Sequence, residues 1–231
     1  LYILDEYFTR IAIYPIFSPS DFTISFVFYD KQGNAVAHLT DYLAVSSIEN
    51  KYKIIDMGKI VAQNGFDSQI IKSANIVCNW NNKQQIPTRI KFGLNIGKLN
   101  ANYSLPCNIC FAPALGNPQI LNKKSTFRWA PFINIGKSEM VITNGGTLKN
   151  YTLNANVKAL FHREADKETI ERSYELLANE IIKIKIYEDD ILKSFLGNAS
   201  GWVSLVADNP FVNGWYFDFH ESGAVAADHL F

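Results

Sequence analysis

Along most of this chain apolar residues recur at every second position. A period of two belongs to a strand, whose successive side chains point to opposite faces. In TISFVFY, Ile24, Phe26 and Phe28 share one face while Thr23, Ser25 and Val27 take the other. ANIVCNW sets Ala74, Ile76, Cys78 and Trp80 against Asn75, Val77 and Asn79, and RIKFGLNI groups Ile90, Phe92, Leu94 and Ile96. YTLNANVKALF does the same with Tyr151, Leu153, Ala155, Val157 and Phe161. One dry and one wet face per strand suits an antiparallel sheet that packs on a core with one side only. The expected fold class is therefore mainly β, an antiparallel β-sandwich.

Turn chemistry points the same way. QNGF (63–66), TNGG (143–146) and VNGW (212–215) each set Asn-Gly between apolar flanks, and DKQGN (30–34) offers a fourth turn. Asn-Gly tolerates the positive φ angles of a tight hairpin, so four hairpins are expected. One segment breaks the pattern. ADKETIERSYELLANE offers Asp166 as an N-cap, acids in the first turns, and Ile170, Tyr174, Leu177 and Ile181 at helical spacing, which predicts a helix near 167–180. DDILKSFLG reads as a short second helix from Asp190, stopped by Gly197. Pro and Gly in CFAPALGNPQILNKK mark 110–124 as a long loop or linker. Two β-rich halves, 1–110 and 125–231, follow from that placement, with one large sandwich as the alternative. LNIGK (94–98) and INIGK (133–137) are alike, but two short matches fall below the three repeats a solenoid needs.

Charge supplies the functional lead. Lys and Arg total 22 and Asp and Glu total 22, for a formal net charge of zero. Yet no carboxylate lies between Asp67 and Glu139, and no Lys or Arg follows Lys193. Three arrangements fit that layout. The basic stretch can neutralise the acidic tail within one molecule, form a cationic face for phosphate, nucleic acid or sulfated glycan, or meet the tail of a neighbouring copy. The cations are thinly spread and not interleaved with aromatics, and a neutral chain lacks long-range attraction; both argue against nucleic acid. Lys83, Arg89, Lys91, Lys98, Lys123, Lys124 and Arg128 are accordingly expected to gather on one surface. That surface should face Asp208, Asp218, Glu221 and Asp228 of another copy or another protein.

Other residues invite chemistry. Asp218 and His220 are the raw material of general base catalysis or a metal site, and alternation puts them on a wet face opposite Trp215, Phe217 and Phe219. An exposed pair of this kind is equally plain polar surface. G-x-S-x-G, H-E-x-x-H, the P-loop and G-x-G-x-x-G do not occur, so the sequence commits no residue to catalysis. Cys107 and Cys110 have CxxC spacing, but loop-forming FAPALGNP follows where a redox site needs a helix, and no second ligand pair completes a zinc site. No metal or cofactor is implied. Trp80 and Trp215 fall on the apolar sides of their strands, which leaves Trp129 and Trp202 as candidate stacking residues for a ligand.

These features favour a non-enzymatic structural or interaction module that assembles with other copies or partners, of the virion, appendage or surface-layer kind. A secreted binding domain for glycan or another anionic ligand is the alternative. A hydrolase or metal enzyme built on the His/Asp-rich C-terminal segment is the third reading. No apolar run approaches the eighteen or so residues of a membrane span. A virion, cell-surface or secreted location follows from the assembly reading alone, since no address signal supports it.

Overall fold

The computed structural model describes residues 7–14, 20–48, 51–81, 83, 92–98, 107–111, 123–132, 137–146, 151–222 and 224–231. The chain divides into two compact units: Leu1–Leu99 with Pro106–Ala114, and Asn100–Leu105 with Leu115–Phe231. All strand pairs among the described residues are antiparallel.

In the first unit, β1 (Tyr7–Ile13), β4 (Lys53–Asp56), β6 (Phe92–Lys98) and β7 (Cys107–Phe111) form one sheet in the order β4-β1-β6-β7. A second sheet, β3-β2-β5, comprises β2 (Phe22–Tyr29), β3 (Ala35–Val45) and β5 (Ser73–Trp80). The alternation explains how they pack. Ile24, Phe26 and Phe28 of β2 are buried in one cluster with Ile11 and Ile13 of β1 and Phe92 of β6. Each such side chain contributes about 1.5–3 kcal/mol on burial. Between β4 and β5, α1 (Met57–Gln63) adds Met57, Ile60 and Val61 to this core. Asp56 caps it by accepting a bond from the Lys59 amide.

The second unit holds β8 (Thr126–Phe132), β9 (Lys137–Asn144), β10 (Ala155–Arg163), β11 (Thr169–Leu176), β12 (Ile181–Lys185), β13 (Gly201–Ala207), β14 (Val212–Phe219) and β15 (Val225–His229). They form two sheets, β11-β10-β13-β8 and β12-β9-β14-β15. One core lies between them, with Val157, Phe161 and Val203 from the first sheet and Met140, Ile142 and Val212 from the second. This is the expected β-sandwich. The second helix, α2 (Asp190–Leu196), stands between β12 and β13 and buries Leu192 and Leu196; Asp189 caps its start and Gly197, at φ 56°, ends it.

The strand order is the same in both units. Adding eight to each strand number turns β4-β1-β6-β7 into β12-β9-β14-β15 and β3-β2-β5 into β11-β10-β13; the helices match as well. Among the described residues β8 is the extra strand. The LNIGK and INIGK match is unrelated to this repeat: the first lies in β6, whose counterpart is β14, and the second ends at Lys137, the first residue of β9.

Several local expectations are overturned. The segment expected as a helix near 167–180 is a turn followed by β11. A spacing of four, as from Ile170 to Tyr174, is even as well as helical, so it fits a strand face equally. Pairing of Thr169–Leu176 with Ala155–His162 of β10 settles the choice. Asp166 caps no helix; it accepts from the Glu168 amide at 3.1 Å and binds Arg163 at 2.6 Å. None of the three Asn-Gly pairs turns a hairpin. Asn64 is the C-cap of α1, Asn144 ends β9 with its side chain buried, and Asn213-Gly214 lies inside β14. Only DKQGN behaves as expected, joining β2 to β3 with Gly33 at φ 86°. The expected linker at 110–124 falls mostly outside the described residues.

Candidate functional site

The outer face of the β11-β10-β13-β8 sheet is built by the residues that alternate with the core. On β8, Ala130 and Phe132 enter the core, so Phe127, Trp129 and Pro131 stand on the other side. Strand register then lays out three rows: Phe127 beside Val206 and Lys158, Trp129 beside Ser204 and Leu160, and Pro131 beside Trp202 and His162. Phe127 is 58% exposed, Val206 50% and Trp129 42%. Trp129 stacks on Phe231 at 5.0 Å, and their backbones exchange two bonds of 3.0 Å, which ties the chain's last residue to β8. Trp202 lies flat on His162 at 4.9 Å, and His162 Nε2 sits 3.0 Å from Ser204 Oγ. An ion pair between Lys158 and Glu171, at 3.2 Å, borders the apolar rows on the β10–β11 side.

The matching face in the first unit has the opposite chemistry. Asn79 Nδ2 donates to Ser25 Oγ at 2.9 Å, the Asp41 amide donates to the same oxygen at 2.9 Å, and Asn75 Nδ2 donates to the Tyr29 hydroxyl at 3.3 Å. Two sheets with one topology thus present a polar, hydrogen-bonded face and an aromatic one. At one end of the polar sheet a cavity of about 620 Å³ is lined in part by Asp21, Thr23, Asp41, Asn79 and Trp80. A bulge between Ile24 and Phe26 and a positive φ of 49° at Asp41 shape it. Both carboxylates are engaged there: Asp21 accepts from the Ser47 amide, which holds its pKa down, and Asp41 accepts from Thr23. The alternation of ANIVCNW hides this cavity, because it assigns Trp80 to a core that leaves it 38% exposed.

The expected cationic set is only partly visible. Lys83 is exposed in the first unit, and Lys123 and Lys124 are exposed just before β8 in the second. Arg128 departs from the expectation. It takes the core-side parity of Ala130, is half-buried, and its Nε has no hydrogen-bond partner among the described residues. Desolvation lowers its pKa. Arg89 and Lys91 lie outside the described residues, as does the side chain of Lys98 at the end of β6. Of the complementary acids, Asp208 accepts from the Asn156 amide and side chain at 2.8 and 2.7 Å, which pulls its pKa down. Asp228 bonds His229 at 2.7 Å, and Glu221 is exposed after β14.

Asp218 and His220 do not share a wet strand face. Asp218 has the parity of Val212 and Tyr216, which pack in or on the core, and it accepts a bond from buried Ser138. Phe217 and Phe219, on the opposite side of β14, are buried too. His220 lies beyond the strand end, its Nδ1 2.9 Å from Ser222 Oγ. The two residues therefore have different partners. Cys107 and Cys110 belong to strand β7, and their side chains lie outside the described residues. Burial pushes the Cys78 thiol up to about 11, so it carries little thiolate near neutral pH. Among the described residues no group of three or more His, Cys, Asp and Glu is placed to hold a metal ion.

Sequence reasoning missed one buried polar cluster outright. Tyr151 Oη donates to Asn144 Oδ1 at 2.6 Å, and Asn209 Nδ2 donates to Tyr151 Oη at 2.7 Å. Asn144 Nδ2 donates to the carbonyls of Leu153 and Leu177 at 2.7 and 3.0 Å. Its role is structural, since it joins the loops at one end of the sandwich.

No protein-family model matches the chain, and no curated protein matches it at a significant level. One solved structure, a cryo-EM structure of Broad Bean Stain Virus, is similar at 7% identity and a TM-score of 0.21, over 94% of this chain and 82% of that one. A likeness that slight carries no argument about fold or function.

Proposed function

We propose that this chain is a non-enzymatic structural or interaction module that assembles with other copies or partners, as a component of a virion, appendage or surface layer would. The observation behind the reading is the aromatic and apolar outer face of the β11-β10-β13-β8 sheet, led by Phe127, Trp129 and Val206. Contiguous apolar surface rimmed by charge marks contact sites, because covering it releases about 25 cal/mol per Å². Lys123 and Lys124 beside β8 would orient the contact rather than hold it, since exposed ion pairs contribute only about 0–1 kcal/mol each. Sedimentation across protein and salt concentrations tests this. Mass should rise with concentration and fall only modestly with salt, and Phe127→Asp with Val206→Asp should weaken association at least tenfold in a folded chain. A chain that stays monomeric at high concentration in both low and high salt would end the reading.

A second reading is supported by the cavity beside Trp80. A Trp ring with nearby carboxylates and amides suits a neutral sugar better than an anionic one, because Asp21 and Asp41 repel negative charge. Titration with neutral and sulfated oligosaccharides separates the two ligand classes, and Trp80→Ala should abolish any binding at this cavity.

A further inference from the structure

In the second unit β13 lies between β10 and β8, and its inward residues Val203, Leu205 and Ala207 are fully buried. Ala130 and Phe132 of β8 complete the core beside them. In the first unit β5 takes the place of β13 against β2, but among the described residues nothing takes the place of β8. The consequence shows in the inward row of β5. Ala74 is buried, Ile76 and Cys78 are only partly covered, and Trp80 is 38% exposed. An unpaired edge also leaves half of a strand's backbone donors and acceptors without partners, which makes it a template for another strand. β5 carries no charge, and the nearest charged residues along the chain on either side are Lys72 and Lys83.

We propose that the free edge of β5 accepts an antiparallel strand from another protein chain, filling the position that β8 fills in the second unit. The entering segment is extended and apolar at alternate positions, so that one side of it closes over Ile76 and Cys78. Lys72 and Lys83 flank the edge in sequence while Asp21 and Asp41 lie beside its Trp80 end, so the residues between the apolar ones are polar and uncharged. Main-chain bonds supply the affinity and the inward pockets supply the selectivity. The site is separate from the aromatic face of the second unit, so either can fail without the other.

Cys78 provides the readout, because a strand seated on this edge covers its thiol. The probes are two nine-residue peptides with valine at alternate positions and serine between, one unbroken and one with proline at its centre, which cannot complete the ladder. Site-resolved alkylation of Cys78 and amide hydrogen exchange over 73–80 are followed in the whole chain. At millimolar unbroken peptide, Cys78 alkylation should slow at least fivefold and the fast-exchanging amides of 73–80 by tenfold or more. The proline peptide should do much less. The proposal is overturned if neither quantity responds to the unbroken peptide. It is equally overturned if every amide of 73–80 exchanges slowly in the chain alone, because the edge would then be covered already.

Discussion

Asn144 is wholly buried, yet its side chain amide contacts residues far along the chain: Tyr151, Leu153, Leu177 and Asn209. A buried amide is tolerated only when its donors and acceptor are all used, and here they are. Removing it strands several partners at once, each at about 1–3 kcal/mol. Asn144→Ala should therefore lower the unfolding free energy of the second unit by at least about 2 kcal/mol in urea titrations. Asn209→Ala should cost less, and the double variant less than the sum, because the two share one network. At Cys78 the sign of the pH effect follows from burial. Its folded pKa, about 11, lies above the ordinary thiol value of 9.0. Its contribution to stability is thus intact below pH 9 and is lost as pH rises from 9 toward 11, where only the unfolded thiol ionises. Alkylation of Cys78 should keep accelerating past pH 10 in the folded chain and be half-maximal near pH 9 in urea.

At the scale of single elements, Gly214 shows why a local motif misleads. A Cβ at this position would clash with the Val141 carbonyl oxygen of the neighbouring strand. Backbone cannot yield as a flexible side chain does, so Gly214→Ala should destabilise the β9–β14 pairing by more than about 2 kcal/mol. A glycine in a hairpin turn would show no such clash, and thermal unfolding of the variant distinguishes the two. The hairpin between β10 and β11 is the converse case. Lys167 sits at φ 63°, a conformation costly for any residue with a Cβ. Lys167→Gly should leave the strands intact and raise stability by about 0.5–1 kcal/mol, measured by the shift in denaturant midpoint.

On the scale of the molecule, each unit has its own core, one centred on Phe26, Phe28 and Ile60 and the other on Phe161, Val203 and Leu205. We propose that the units are separate domains that unfold independently. Leu205→Ala deletes fully buried atoms, which typically costs about 2–5 kcal/mol. Its effect on hydrogen exchange should stay within β8 to β15 and leave β1 to β6 protected as before. Uniform loss of protection across both units would show a single cooperative structure instead.

The sequence by itself determined the class of fold and the inward faces of several strands. Ile24, Phe26 and Phe28 are buried, as are Phe92, Leu94 and Ile96, because a period of two can be satisfied in only one way once a core exists on one side. It also determined α2, whose capping aspartate and terminal glycine are local signals. Tertiary structure decided what those signals could not. Ile170 and Tyr174 satisfy both periods, and only pairing with β10 made them strand. Asn-Gly permits a turn without requiring one, so at Asn213-Gly214 the close approach of β9 took precedence. The candidate surfaces were least legible, since the aromatic rows of the outer face join β8, β13 and β10, and cross-strand neighbours are set by pairing rather than by order along the chain.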